Sequence, residues 1–178
     1  MKLLTFILLV FIAPALAGIF GAILDQINFT ISPEFFRITR FPSMGLSSLH
    51  HERWLAALTG VINSWQFGIA LGVMLSFIGT IHSDHKKMFK YTMQSFGIAL
   101  GVTAVITFMG ILITLNSEYE MPVNLSPQVK EPMRYMAVWN INNYAYAGGI
   151  IGMLAGAAWH IFKTKKEETE VEYQEHNG

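Results

Sequence analysis

The chain has no cysteine among its 178 residues. That excludes disulfides, thiolate metal sites and cysteine nucleophiles together. Charge is also scarce: Asp, Glu, Lys and Arg make up 13%, where a soluble domain carries about 25%. The net charge is +0, so no basic excess points to nucleic acid as a partner. No HExxH, GxSxG or P-loop pattern is present, and an enzyme is not expected on motif grounds.

What is present is apolar sequence, 52% of the chain, with a mean hydropathy of +0.40. Residues 3–24, 54–81, 91–115 and 137–162 contain no Asp, Glu, Lys or Arg. About 20 apolar residues cross a bilayer as a helix. The sequence therefore predicts an all-α, integral membrane four-helix bundle. It forms one transmembrane domain over 1–178, with crossings at about 3–24, 54–81, 91–115 and 138–162. Residues 163–178, rich in Lys and Glu, have little to bury and are expected to be a disordered tail. No Asp, Glu, Lys or Arg lies deep in a crossing, which argues against a proton- or ion-coupled carrier. The first segment has a second reading. Lys2, an apolar run and Ala15-Leu16-Ala17 form a signal-peptide pattern. The run continues to Leu24, beyond the usual length of about 7–15 residues, and this favours retention.

Lysines set the expected orientation. Lys2, the Lys86, Lys87 and Lys90 group, and the Lys163, Lys165 and Lys166 group all fall at one end of the bundle. The positive-inside rule assigns that end to the cytoplasm. Both termini are then cytoplasmic, and the longer loops, 25–53 and 116–136, face outward.

Seven letters, FGIALGV, occur at 67–73 and again at 96–102. Their common content is G-x-x-x-G, from Gly68 and Gly72 and from Gly97 and Gly101. Bare glycines let membrane helices approach closely. Longer stripes recur at every fourth residue: Gly60, Ser64, Gly68, Gly72 and Ser76 on crossing two, and Tyr144, Gly148, Gly152, Gly156 and His160 on crossing four. These predict helix packing, and grooves open to a lipid, a second copy or another membrane protein.

Ser32-Pro33 and Ser126-Pro127 supply a helix N-cap followed by a proline at the first helical position. Each outer loop is expected to begin a short helix. The first carries Phe35, Phe36, Ile38 and Phe41 beside Arg37 and Arg40, a mixture suited to the membrane–water interface.

The stretch DQINFTISPEFFRITRF, 25–41, resembles the signature of a family of uncharacterised small bacterial integral membrane proteins. Asp25, Gln26, Thr30, Ser32, Pro33, Glu34 and Phe36 match that pattern, and Phe35 stands where the family has Tyr. YAYAGGIIGMLAG, 144–156, is similar to that family's last crossing. NINN precedes it here in place of His-Asn. The resemblance implies a four-helix protein of the bacterial cytoplasmic (inner) membrane and carries no activity.

Three sets of residues could carry chemistry. His82, Asp84 and His85 end crossing two, and His160 ends crossing four. His82 and His160 can approach, as a haem or metal pair would require, or as ordinary interfacial residues. Asn63 and Gln66 lie within crossing two, and Asn140, Asn142 and Asn143 open crossing four. Asn63 is roughly 13 Å past Trp54, near the bilayer centre. Buried amides of this kind usually serve as interhelical hydrogen bonds; the other reading is a polar ligand cavity formed by Asn63, Gln66, Asn140 and Asn143. Finally, His50–Arg53 with Asp25 and Glu34 gathers acid, base and cation outside. The sequence thus predicts a membrane bundle that associates with a partner, lipid or itself. A solute- or ligand-handling bundle is the second reading, and a haem or metal protein the third. No cofactor is expected.

Overall fold

Four apolar runs become four long helices because lipid offers no partner for a free backbone amide. The computed structural model describes residues 1–47, 51–117 and 125–177, with side chains described through 166. The long helices are α1 (Lys2–Ile31), α4 (Glu52–Gly79), α5 (His85–Asn116) and α6 (Pro132–Asn177). Each is long and apolar enough to cross a membrane, α6 through its Pro132–Lys166 part. Large apolar side chains face outward, among them Phe11, Val105 and Leu154, as suits a lipid-facing surface. This is a multi-pass membrane protein. Among the described residues it is all-α.

The helices overrun the predicted crossings. α1 continues two turns past Leu24 to Ile31, which places Asp25, Gln26 and Asn28 on a helix and not in a loop. α6 runs on to Asn177 where a disordered tail was expected. The Lys and Glu of that stretch have high helix propensity, and they extend a helix already nucleated in the bundle.

Glycine sorts the helices into two antiparallel hairpins. In the first, α1 packs against α4. Gly21 meets Gly60 backbone to backbone, a β-carbon on Gly68 would stand 2.5 Å from Pro14 Cα, and one on Gly72 would stand 2.9 Å from Ala13 Cβ. In the second, α5 packs against α6. Gly148 faces Thr103, Gly152 faces the Ala99 carbonyl, Gly156 faces Ser95, and Gly110 faces the Tyr144 side chain. Gly97 and Gly101 differ: a β-carbon on either would meet nothing within 4 Å. They share the seven-letter repeat with Gly68 and Gly72 but point outward. The partner helix, not the repeat, determines which glycines are used.

Ser32 accepts a hydrogen bond from the Phe35 amide at 3.3 Å, and Pro33 follows it as the first helical residue. From there the first loop forms the expected helix: α2 (Pro33–Phe35), a π-helical stretch (Phe36–Arg40) and α3 (Phe41–Ser43). Phe35, Phe36 and Phe41 join Phe29, Leu55, Ala56, Tyr135 and Val138 in one core cluster. A second cluster, built on Leu9, Leu71, Leu75, Met88 and Phe96, lies nearer the chain termini. The second loop forms a turn, with the Val129 amide bonded to the Ser126 carbonyl at 3.0 Å, where a short helix was expected. Pro132 follows closely and disfavours helical backbone at Glu131, leaving no length for a helix to propagate. Asn124 and His50 lie outside the described residues.

Candidate functional site: a polar cluster and cavity between the hairpins

Gly18, Gly21, Asp25 and Asn28 follow helical spacing along α1. The face that packs by glycine in mid-membrane therefore ends in a carboxylate and an amide. Asp25 is buried, at 3% exposure. Its Oδ2 accepts from the Thr59 hydroxyl on α4 at 3.1 Å, and its Oδ1 accepts from Asn28 Nδ2 at 3.4 Å. The same Asn28 amide donates to Asn142 Oδ1 on α6 at 3.2 Å. The π-helical stretch brings in the cation: Arg40 Nη2 lies 3.8 Å from Asp25 Oδ1. Its guanidinium also sits over the Phe35 ring, 5.6 Å from the centroid, a cation–π contact. Short π-helical stretches are frequently found at functional sites.

A charge taken out of water is costly unless it is paired and hydrogen-bonded. Asp25 is well provided for. Arg40 is not: its Nε is buried with no hydrogen-bond partner among the described residues. Neither does Asn63 Nδ2 have one, nor Asn28 Oδ1. Arg40 and Asn63 both line a cavity of about 80 Å³ between the hairpins. Asp25 and Arg40 stand at one end of it, Asn63 and Asn142 along its wall, and Leu71 and Leu100 deeper. Along the helices it falls between the two core clusters.

The four amides expected to form a cavity do not converge. Asn63 lines this one. Gln66 is exposed on the outer face of α4. Asn140 and Asn143 lie with Ile113 and Tyr144 in a shallow outer groove between α5 and α6. In their place stand Asn142, Asp25 and Arg40. The expectation that Asn63 acts as an interhelical hydrogen bond finds no bond from its Nδ2. Asp25 was legible as the continuation of the Gly18–Gly21 spacing. Nothing in the sequence pointed Arg40 inward.

The other residues of the 25–41 motif hold the loops in place. Gln26 donates to the Arg53 carbonyl at 2.6 Å, and Arg53 donates to the Thr30 hydroxyl at 3.3 Å. Glu34 Oε2 accepts from the Lys130 and Glu131 amides, each at 3.0 Å, which ties the loop helix to the start of α6. Thr39 and Tyr135 share a hydroxyl–hydroxyl hydrogen bond. Arg37 forms a two-point pair with Glu52, each bond 2.6 Å. That carboxylate raises the Arg37 pKa above its ordinary value. These contacts fasten the loop helix and its aromatic cluster at the end of the bundle where Asp25 and Arg40 lie.

At the opposite end His82 and His160 do meet, Nε2 to Nδ1 at 3.1 Å, both buried. The Tyr91 ring lies tilted against His82, with ring centroids 4.7 Å apart. His85 is engaged elsewhere, with Asp84 at 2.8 Å. Asp84 caps α5 through the Lys86 amide at 3.2 Å. Desolvation acts upward on its carboxyl, but the Lys86 amide and His85 together outweigh it and lower its pKa. Among the described residues no three His, Cys, Asp or Glu side chains could share a metal ion, and a structural metal site usually takes four ligands. The geometry of the pair is that of a buried hydrogen bond joining α6 to the end of α4.

Fold and site together define a class: a four-helix membrane bundle of two glycine-packed hairpins, with a small cavity between them lined at one end by a buried ion pair. Comparisons with protein families, with curated proteins and with solved structures find no match.

Proposed function

We propose that this chain is a ligand-binding bundle of the bacterial cytoplasmic membrane, holding a small molecule between its hairpins against Arg40 and Asn63. One observation carries the reading. Two buried nitrogens without a hydrogen-bond partner among the described residues line a single cavity, and buried polar groups are ordinarily satisfied. The lysine distribution supports cytoplasmic termini and a periplasmic loop helix. Native mass spectrometry of the full chain, purified in mild detergent, tests it. Wild type should retain a small molecule that Ala145→Phe, which fills the cavity wall, releases. Identical spectra for the two proteins would refute the proposal.

A second reading, association with a lipid, a second copy or another membrane protein, now rests on Gly97 and Gly101, which face open space. The other glycine grooves are occupied by the chain's own helices. Disulfide trapping of Gly101→Cys in native membranes tests it. A trapped dimer supports self-association, and monomer alone refutes it.

A further inference from the structure

The lysine-bearing end of the bundle holds a second arrangement, on the surface and apart from the cavity. Lys90 on α5 and Lys163 on α6 converge on one ring: their Nζ atoms lie 5.9 Å and 5.8 Å from the centroid of Tyr91. Lys163 also sits 4.6 Å from the centroid of Trp159. Aromatic faces attract both cations and hold them beside the seam between α5 and α6. They do not neutralise them. The ion pairs of Arg37, Arg40, His85 and Arg134 do not include them, and neither lysine has a carboxylate partner among the described residues. Two like charges gathered in this way attract an anion.

Toward the middle of the membrane the same face of α5 becomes bare. Lys90, Gln94, Gly97 and Gly101 follow helical spacing, and all four are exposed. Gln94 Oε1 accepts from Trp159 Nε1 at 3.2 Å. The Gln94 amide nitrogen remains a donor, about 6 Å or one turn deeper than Lys90. Gly97 and Gly101 lie about 10 and 16 Å deeper, and a β-carbon on either would meet nothing within 4 Å. One leaflet contributes about 15 Å of hydrocarbon. Within that depth the face offers a cationic pair, then an amide donor, then an apolar trough.

A phospholipid has the same order: phosphate, ester carbonyl, acyl chain. We propose that this face binds phosphatidylglycerol of the adjoining leaflet. The phosphate lies between Lys90 and Lys163, an ester carbonyl accepts from Gln94, and one chain runs along Gly97 and Gly101. Basic pockets between transmembrane helices bind anionic headgroups elsewhere. Charge selects among the lipids. Phosphatidylglycerol carries one negative charge and no cation, whereas two lysines repel the ammonium of a zwitterionic headgroup. Cardiolipin, with two phosphates and four chains, exceeds one trough. This binding rests on the second reading above, of Gly97 and Gly101 as an association face, and commits that face to a lipid; it is independent of the cavity.

Native mass spectrometry tests it, on the full chain delipidated in mild detergent and titrated with lipids of identical acyl chains. Wild type should retain phosphatidylglycerol about 25-fold more than phosphatidylcholine, about fivefold for each lysine. Lys90→Gln and Lys163→Gln should each lower that preference about fivefold, and together abolish it. Lys2→Gln, at the same end but on α1, should leave it unchanged. Gly101→Leu, at a position where a β-carbon meets no neighbour, should fill the trough and lower retention of both lipids. Equal retention of the two lipids by wild type, or a loss in Lys2→Gln as large as in the other lysine variants, overturns the proposal. So does stronger retention of cardiolipin that is lost in Lys90→Gln and Lys163→Gln. Trapping at Gly101→Cys judges the association face separately. A trapped dimer without lipid preference leaves that reading standing and overturns this one, and monomer without lipid preference overturns both.

Discussion

Gly21 and Gly60 touch backbone to backbone, and a β-carbon on either would overlap the other's carbonyl. This contact sets the spacing of α1 and α4 beside Asp25 and Thr59, and so holds the polar cluster together. In lipid, where burial of apolar surface gives little, such close packing is a main source of helix association.

Gly60→Leu and Gly152→Leu should each destabilise the bundle by about 1–3 kcal/mol or more, the usual cost of overpacking. Gly101→Ala, in open space, should leave stability level or raise it by up to about 1 kcal/mol through helix propensity. Unfolding in a detergent–denaturant series measures all three. A neutral Gly152→Leu would mean that α5 and α6 do not meet at Ala99.

Asp25→Asn leaves Arg40 buried without its counter-ion and should cost about 3–5 kcal/mol. Combining it with Arg40→Met removes both charges and should restore most of that stability. The comparison is a double-mutant cycle in the same unfolding assay. Strictly additive losses would show that the two residues do not interact.

Asn63→Leu should leave stability level or higher, because an amide nitrogen without a partner is replaced by an apolar side chain. It should also weaken retention of the cavity's ligand. The sequence alone suggested the opposite, a loss of about 0.6–2 kcal/mol as for an interhelical hydrogen bond. Differential scanning fluorimetry separates the two, and a clear drop in melting temperature would restore the hydrogen-bonding role.

Glu34→Ala should loosen the junction of the loop helix with α6 by about 0.5–2 kcal/mol, as for loss of a helix cap. The effect should be local. Hydrogen exchange at the Lys130 and Glu131 amides should quicken while exchange in the middle of α5 is unchanged. Unchanged protection at those two amides would show that Glu34 does not bind them.

The sequence by itself determined the four helical crossings. A long run without charge is costly anywhere but in lipid, and in lipid the backbone must close its own hydrogen bonds, so 54–81 and 91–115 had to become helices. Ser-Pro was a weaker signal: Ser32-Pro33 starts a helix as its cap chemistry suggests, while the same pair at Ser126-Pro127 starts only a turn. Glycine at every fourth position told that helices would touch, but not which helices. Only the tertiary structure decided that Gly68 and Gly72 pack on α1 while the identical letters at Gly97 and Gly101 face outward, because a face is buried by its neighbour and not by its own residues. Likewise Asp25, Arg40 and Asn142 lie on separate elements. Each alone reads as an ordinary interfacial polar group. Desolvation and hydrogen bonding made them one site only when α1, the loop helix and α6 closed on a common space.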